Sequence, residues 1–122
     1  MSAALSIDWI RAICMALPYV TETVQWGDNL VFKIGGKIFA IAPLEPAKSG
    51  LSFKCTKEGY DELIERPGII PAPYLARAYW VALEDGSAMP RAEVKRRLEE
   101  AYAIVLACLP KKVRAALDGG VI

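Results

Sequence analysis

The sequence contains no histidine among its 122 residues. Histidine is the usual general base that activates a Ser or Cys nucleophile, and it is the commonest metal ligand in proteins. Its absence excludes catalytic sites of the Ser-His-Asp and Cys-His types, and zinc sites that use imidazole. We therefore expect a protein that is not an enzyme and that carries no cofactor and no metal.

Cysteine is scarce as well. Cys14, Cys55 and Cys108 are an odd number of widely spaced residues with no C-x-x-C pair. This pattern favours neither a disulfide framework nor a zinc site, and it fits a reducing compartment. Because small thiols are usually buried, we expect all three to pack in the core of a cytoplasmic protein.

Long apolar runs are also missing. The longest purely apolar run covers residues 103–109, far short of the ~18 residues that indicate a membrane-spanning helix. Near the N-terminus, Asp8 and Arg11 interrupt the apolar residues before a secretory signal could form. We expect no membrane partner.

A strong net charge is absent too, since 15 Lys and Arg residues oppose 14 Asp and Glu residues to give a net charge of +1. The total hides a segregation of charge along the chain. Lysines dominate residues 31–57, and basic residues outnumber acidic ones in residues 91–122, whereas residues 58–90 are mainly acidic. A basic surface can therefore exist on a nearly neutral protein.

The hydrophobic periodicity predicts a single α+β domain over residues 1–118, followed by a short C-terminal tail, 119–122. We expect a two-layer sandwich in which helices cover one face of an antiparallel sheet of about five strands. The predicted elements are a helix at about residues 7–16, strands at 21–26, 30–34, 37–42 and 51–55, a helix after Thr56, an extended connection at 69–74, a strand at 78–83, a long helix from Pro90 and a short helix from Pro110 to Leu117.

A tight hairpin is predicted at Gly35 and Gly36, because both glycines accept a positive φ. A two-residue loop places Phe32 opposite Phe39 and Lys33 opposite Ile38. One face of the hairpin should then belong to the core and the other should be the outer face of the sheet. The predicted core side chains are those of Phe32, Ile34, Phe39 and Ile41, and the predicted outer ones are those of Val31, Lys33, Ile38 and Ala40.

Several segments occur in a characteristic order along nearly the whole chain. They are Leu17-Pro18, Trp26-Gly27, the run from Phe32 to Ala40, Ser52-Phe53-Lys54, Pro67-Gly68 and the run from Pro71 to Val81. In this order and spacing they resemble the MmcQ/YjbR family of small bacterial proteins.

The resemblance implies a frataxin-like (CyaY-like) α/β sandwich and a DNA-binding role, sometimes described as a double-wing arrangement. It implies no catalytic residues. Many members of the family place His or Lys beside the strand tryptophan, where this chain has Tyr79. A frataxin-like sheet also suggests iron handling, but Asp8 is the only acidic residue of the first predicted helix, so we do not expect that role here.

The first functional hypothesis is a nucleic-acid-binding module on the outer sheet face, with DNA as the partner. Lysines hold phosphates, and an aromatic side chain beside them can stack on bases. Alternation along the strand puts one of Tyr79 and Trp80 on that face. The candidate binding residues are Lys33, Lys37, Lys54, Arg77, Tyr79 and Trp80.

The second hypothesis is a protein- or small-ligand-binding domain. Its contact surface would be an apolar outer patch of Val31, Ile38, Ala40 and an aromatic residue, and a homodimer is one form of it. The face that carries Trp26 depends on the length of the loop around Gly27 and stays open.

Overall fold

The computed structural model describes residues 6–25, 27–44, 50–73, 75–84 and 87–119. The helices are α1 (Ile7–Met15), α2 (Lys57–Leu63), α3 (Arg91–Cys108) and α4 (Lys111–Gly119), with a single 3₁₀ turn at Ala76–Ala78. The strands are β1 (Val20–Gln25), β2 (Asn29–Ile34), β3 (Lys37–Pro43), β4 (Ser52–Lys54), β5 (Ile69–Pro71) and β6 (Trp80–Leu83).

The helices begin where the sequence predicts. The Ser6 hydroxyl accepts a hydrogen bond from the Trp9 N–H (3.3 Å), and the Thr56 hydroxyl accepts one from the Gly59 N–H (3.0 Å). Both side chains satisfy an N–H that lacks a partner in the first turn of its helix. Pro90, with φ −60°, directly precedes α3.

The six strands form one antiparallel sheet in the order β1-β2-β3-β4-β6-β5, which confirms the predicted α+β class. The additional strand is β5, since Ile69 pairs with Leu83 and Pro71 pairs with Val81. The sequence predicted an extended connection in this segment but not its pairing as a sixth strand. Proline lacks a backbone N–H but is tolerated at the edge of a sheet, where β5 lies.

A bulge in β3 changes the predicted register of the hairpin. Lys33 pairs with Ile38 as expected, but Phe32 pairs with Ala40 instead of Phe39. The extra residue turns both Phe39 and Ala40 toward the core and sends Ile41 to the outer face. The predicted core position of Ile41 and the predicted outer position of Ala40 were therefore wrong.

The main core lies between the sheet and the helices α1 and α3. Phe39 contacts Tyr102 of α3 edge to face, with ring centroids 5.7 Å apart, and both side chains belong to the core. Cys14 and Cys55 are buried as predicted, but Cys108 is exposed. Cys108 is the last residue of α3, and the neighbouring Leu109 takes the core position instead.

A smaller apolar cluster covers part of the outer face. It consists of Ala72, Trp80 and Ala82, with Ile38, Ile41 and Leu75 packed against it. Val31 is also completely buried. The predicted exposed apolar patch was therefore wrong, because Val31 is inaccessible, Ile38 packs in this cluster and Ala40 faces the core.

Candidate nucleic-acid interface

Strand pairing places two of the predicted lysines on the outer face, on either side of β3. Lys33 of β2 pairs with Ile38, and Lys54 of β4 pairs with Trp80. Since paired residues share a side of the sheet, Lys33, Ile38, Lys54 and Trp80 all lie on the outer face. Strand β3 separates the two lysines, since β2 and β4 are not adjacent in the sheet.

The third lysine, Lys37, pairs with the core residue Ile34 and therefore lies on the helical side of the hairpin end. Lys37, Ile38 and Lys54 line a cavity of about 240 Å³ at the end of the hairpin, and its opposite wall is formed by Val105, Cys108 and Leu109 at the end of α3. We call Lys33, Lys37 and Lys54, with the crevice, the basic corner. The crevice itself combines two ammonium groups, apolar walls and an exposed thiol.

The Gly-Gly turn fixes the position of this corner. Gly35 and Gly36 have φ values of 60° and 82°, as a two-residue hairpin of type I′ requires. A Cβ on Gly35 would lie 2.6 Å from Cδ1 of Leu109, so the turn lies directly against the junction of α3 and α4. This contact joins the two basic stretches of the sequence, because Lys111 and Lys112 begin α4 immediately after Leu109 and Pro110.

Lys54 is held in place at the edge of the corner. Its ammonium group donates a hydrogen bond to the carbonyl oxygen of Ala78 and lies 5.9 Å from the centroid of the Tyr79 ring. The ring of Tyr79 also contacts Tyr60, with centroids 5.7 Å apart. Tyr79 has φ 64°, a left-handed conformation that is unfavourable for a residue with a side chain, and its ring remains 36% exposed.

Tyr79 and Trp80 therefore differ in whether a nucleic-acid base can reach their rings. Trp80 is only 5% exposed and packs in the outer apolar cluster, so it supports the sheet and is not accessible to a base. Tyr79 is the accessible ring beside Lys54. Arg77 is exposed in the 3₁₀ turn. Trp26, for which the sequence left either face of the sheet open, lies outside the described residues.

The lysines of the corner are not neutralised by carboxylates. Within the described part of the chain, the ion pairs involve Arg11, Lys57, Arg66 and Arg97 as cations. Lys33, Lys37, Lys54 and Arg77 take part in none of them. A cation without a carboxylate partner remains available to a phosphate group.

Metal chemistry finds no support among the described residues. Over the ranges given above, no group of three or more Cys, Asp or Glu residues is arranged to hold a metal ion, and the chain has no histidine. Burial raises the pKa of the Cys14 and Cys55 thiols to about 12, so neither forms the reactive thiolate at neutral pH.

None of the described helices is long and apolar enough to span a membrane.

The sequence model of the YjbR family matches residues 15–104. The chain belongs to the YjbR family. The match contains Lys33, Lys37, Lys54 and Tyr79, and it ends before the crevice residues Val105, Cys108 and Leu109. This match confirms the family that the sequence segments indicated.

A solved structure supports the fold of this YjbR-family protein. The crystal structure of the Deinococcus radiodurans protein DR2400, described as a DUF419 domain, matches with a TM-score of 0.81 and 26% sequence identity. The match covers 96% of this chain and 91% of that one. No curated protein sequence matches the chain significantly.

Sequence reasoning found the lysines but missed the crevice. The far wall of the crevice belongs to a helix about 70 residues further along the chain than the hairpin, as the positions of Lys37 and Cys108 show. The signal that could have indicated it is the pair of basic segments, 31–57 and 91–122, which the fold brings together at Gly35 and Leu109.

Proposed function

We propose that this YjbR-family protein is a cytoplasmic, non-enzymatic DNA-binding module whose basic corner holds the phosphate backbone. The observation that carries the proposal is that Lys37 and Lys54 line one crevice and that Lys33 and Lys54 flank the same strand, β3. None of the three has a carboxylate partner among the described residues. The competing apolar interface on the same face has less support, since its central residue Val31 is completely buried.

The binding mode that fits this corner is largely independent of sequence. Lysine contacts to phosphates position a protein on nucleic acid but do not read bases. The exposed ring of Tyr79 provides one stacking surface beside Lys54. A single ring favours an unpaired base, and stacking of this kind contributes about 1–3 kcal/mol per base. We therefore expect single-stranded DNA to bind more tightly than a duplex of equal length.

Fluorescence anisotropy with labelled single-stranded and duplex DNA at several salt concentrations tests the proposal. Four phosphate contacts, from the three lysines and Arg77, should give a log–log salt dependence of roughly −3 to −4 with duplex DNA. The double variant Lys33→Glu/Lys37→Glu should weaken binding at least about tenfold, because two cations become anions. Tyr79→Leu should weaken single-strand binding more than duplex binding.

The matched control is Lys95→Glu/Arg96→Glu on the exposed part of α3, which changes the net charge by the same amount elsewhere. Equal weakening by the two double variants would mean that binding follows net charge alone and would refute the basic corner. Cys108 gives an independent readout because its exposed thiol lines the crevice. DNA bound at the corner should slow maleimide labelling of Cys108, and an unchanged labelling rate at saturating DNA would contradict the placement.

A further inference from the structure

A second groove lies on a different side of α3 from the basic corner. Its α3 wall consists of Tyr102, Ala103, Leu106 and Ala107, whereas Val105, Cys108 and Leu109 face the crevice described above. Its other walls are formed by Arg114 and Leu117 of α4 and by Pro18 and Tyr19, which precede β1. We call this cavity of about 440 Å³ the α3–α4 groove.

A specific contact fixes one end of the α3–α4 groove. The hydroxyl of Tyr102 donates a hydrogen bond of 2.8 Å to the carbonyl oxygen of Pro18. Tyr102 is only 8% exposed, so the turn before β1 is attached to α3 within the core. This end of the groove is therefore preformed, as is usual for ligand sites.

Tyr19 is held in an unfavourable conformation at the same end. It has φ 64°, and left-handed backbone costs a residue with a side chain about 1–2 kcal/mol. Its side chain is 41% exposed, so the ring is accessible to a ligand. Strained residues of this kind cluster at binding sites, and here the strain places an aromatic ring at the groove.

The groove has room because α3 presents small side chains to it. Ala103 and Ala107 are both exposed and lie one helical turn apart on the groove wall. At roughly 30 Å³ for each water-sized group, the space holds about fifteen non-hydrogen atoms. This size fits a small organic molecule and lies within the range of known ligand sites.

The charge of the groove selects the ligand class. Among the side chains that the structure describes, which do not include that of Asp118, Arg114 is the one charged group lining the groove, and it makes no ion pair with the others. The guanidinium group of arginine binds a carboxylate with two parallel hydrogen bonds. Most of the remaining wall is apolar or aromatic, which suits a ligand body without further charges.

We propose that the α3–α4 groove binds a small amphipathic monocarboxylate, with its carboxylate on Arg114 and its apolar, planar body against Tyr19 and the alanine face of α3. This site is independent of the DNA-binding proposal, because the two cavities share no residue. The positions that would decide specificity are Ala103 and Ala107, since larger side chains there would fill the space.

Two-dimensional NMR titration with 2-naphthoate tests this proposal. We expect amide shifts around Tyr19 and Arg114 and a dissociation constant of about 0.1–1 mM, as for a small ligand in an open site. The neutral alcohol 2-naphthalenemethanol has the same ring system without the carboxylate and should bind at least about tenfold more weakly, because it lacks the charge-assisted hydrogen bonds.

Two variants with different physical effects locate the site. Arg114→Gln removes the cation and should weaken naphthoate binding about tenfold while leaving the fold intact, because Arg114 is exposed. Ala107→Leu fills the groove and should abolish binding, whereas Arg96→Gln elsewhere on α3 should have no effect. Absence of shifts at millimolar naphthoate, or binding that survives both groove variants, would overturn the proposal.

Discussion

Gly35 lies against the side chain of Leu109, so closely that a Cβ on Gly35 would be 2.6 Å from Cδ1 of Leu109 and 3.1 Å from Cγ1 of Val113. The next residue, Gly36, has the same left-handed backbone, but a Cβ there would have no atom within 4 Å. The two adjacent glycines thus separate the effect of backbone conformation from that of packing.

Gly36→Ala should lower the free energy of unfolding by about 1–2 kcal/mol, because alanine is strained at positive φ. Gly35→Ala should cost about 1–3 kcal/mol more, since the added methyl group overlaps Leu109 and Val113 at the α3–α4 junction. Urea unfolding of both variants measures the difference. Equal losses would show that the turn does not pack against α4.

The three cysteines should differ in reactivity. In the native protein, Ellman's reagent should modify Cys108 quickly, because it is exposed, and should leave Cys14 and Cys55 intact, because they are buried and their pKa is raised to about 12. After unfolding in denaturant all three should react. Cys108→Ser should remove the fast phase, and a persisting fast phase would mean that one of the core thiols is accessible.

The ion pair between Arg66 and Glu93 should make the stability of the fold depend on pH. Arg66 donates two hydrogen bonds to Glu93, of 2.7 and 3.0 Å, and these lower the pKa of the Glu93 carboxyl below its ordinary 4.5. A lowered pKa stabilises the fold above pH 4.5, and this contribution is lost as the pH falls through the folded-state pKa. Glu93→Gln should therefore cost about 1–3 kcal/mol at pH 7 and less at pH 3, which lies below the ordinary pKa.

The control for this pair is Glu99→Gln, which neutralises an exposed carboxylate on the same helix. It should change stability by no more than about 0.5 kcal/mol at either pH. Urea unfolding at both pH values gives the comparison. If the cost of Glu93→Gln were the same at pH 7 and pH 3, the ion pair would not be its cause.

The hydroxyl of Tyr102 should contribute about 1 kcal/mol, because Tyr102→Phe leaves the carbonyl oxygen of Pro18 without its donor. Burial raises the pKa of Tyr102 above 10, with a smaller contribution from Tyr19. This stabilisation is fully present below pH 10 and is lost as the pH rises through the folded-state pKa.

Thermal unfolding of Tyr102→Phe, compared with Tyr19→Phe, measures this contribution, because Tyr19 has an exposed ring. Tyr19→Phe should stay within about 0.5 kcal/mol of the natural protein. A Tyr102→Phe variant as stable as the natural protein would show that the bond to Pro18 does not hold the turn.

What the sequence predicted well is encoded locally. Ser6 and Thr56 cap helices within one turn, and two consecutive glycines require a tight hairpin. The bulge at Phe39 has no such signal, since residues 38–42 are all apolar and alternation cannot identify a face. β5 was missed because its proline argues against a strand unless the strand is known to lie at an edge.

In the candidate site, too, local features could be predicted from the sequence and contacts between distant segments could not. Successive side chains of a strand point to opposite faces of the sheet, so the outer positions of Lys33 and Lys54 could be predicted. The burial of Trp80 depends on Ala72 and Leu75 packing over it, and the crevice depends on a hairpin contacting the end of a distant helix. Such contacts between distant parts of the chain leave no periodic pattern in the sequence.

The strand order has a consequence for how copies of this protein can meet. β1 and β5 are the two edges of the sheet. β5 has three residues and ends in Pro71, while β1 carries Glu22, bound to Arg11 by a 2.8 Å hydrogen bond on the helical side. A short proline-ended edge resists strand addition, and a charged residue on the inner side of a strand, such as Glu22, disfavours it at the other edge. Any homodimer should therefore form through side chains on the helices or the outer face, and the sheets of two copies should not join into one continuous ladder.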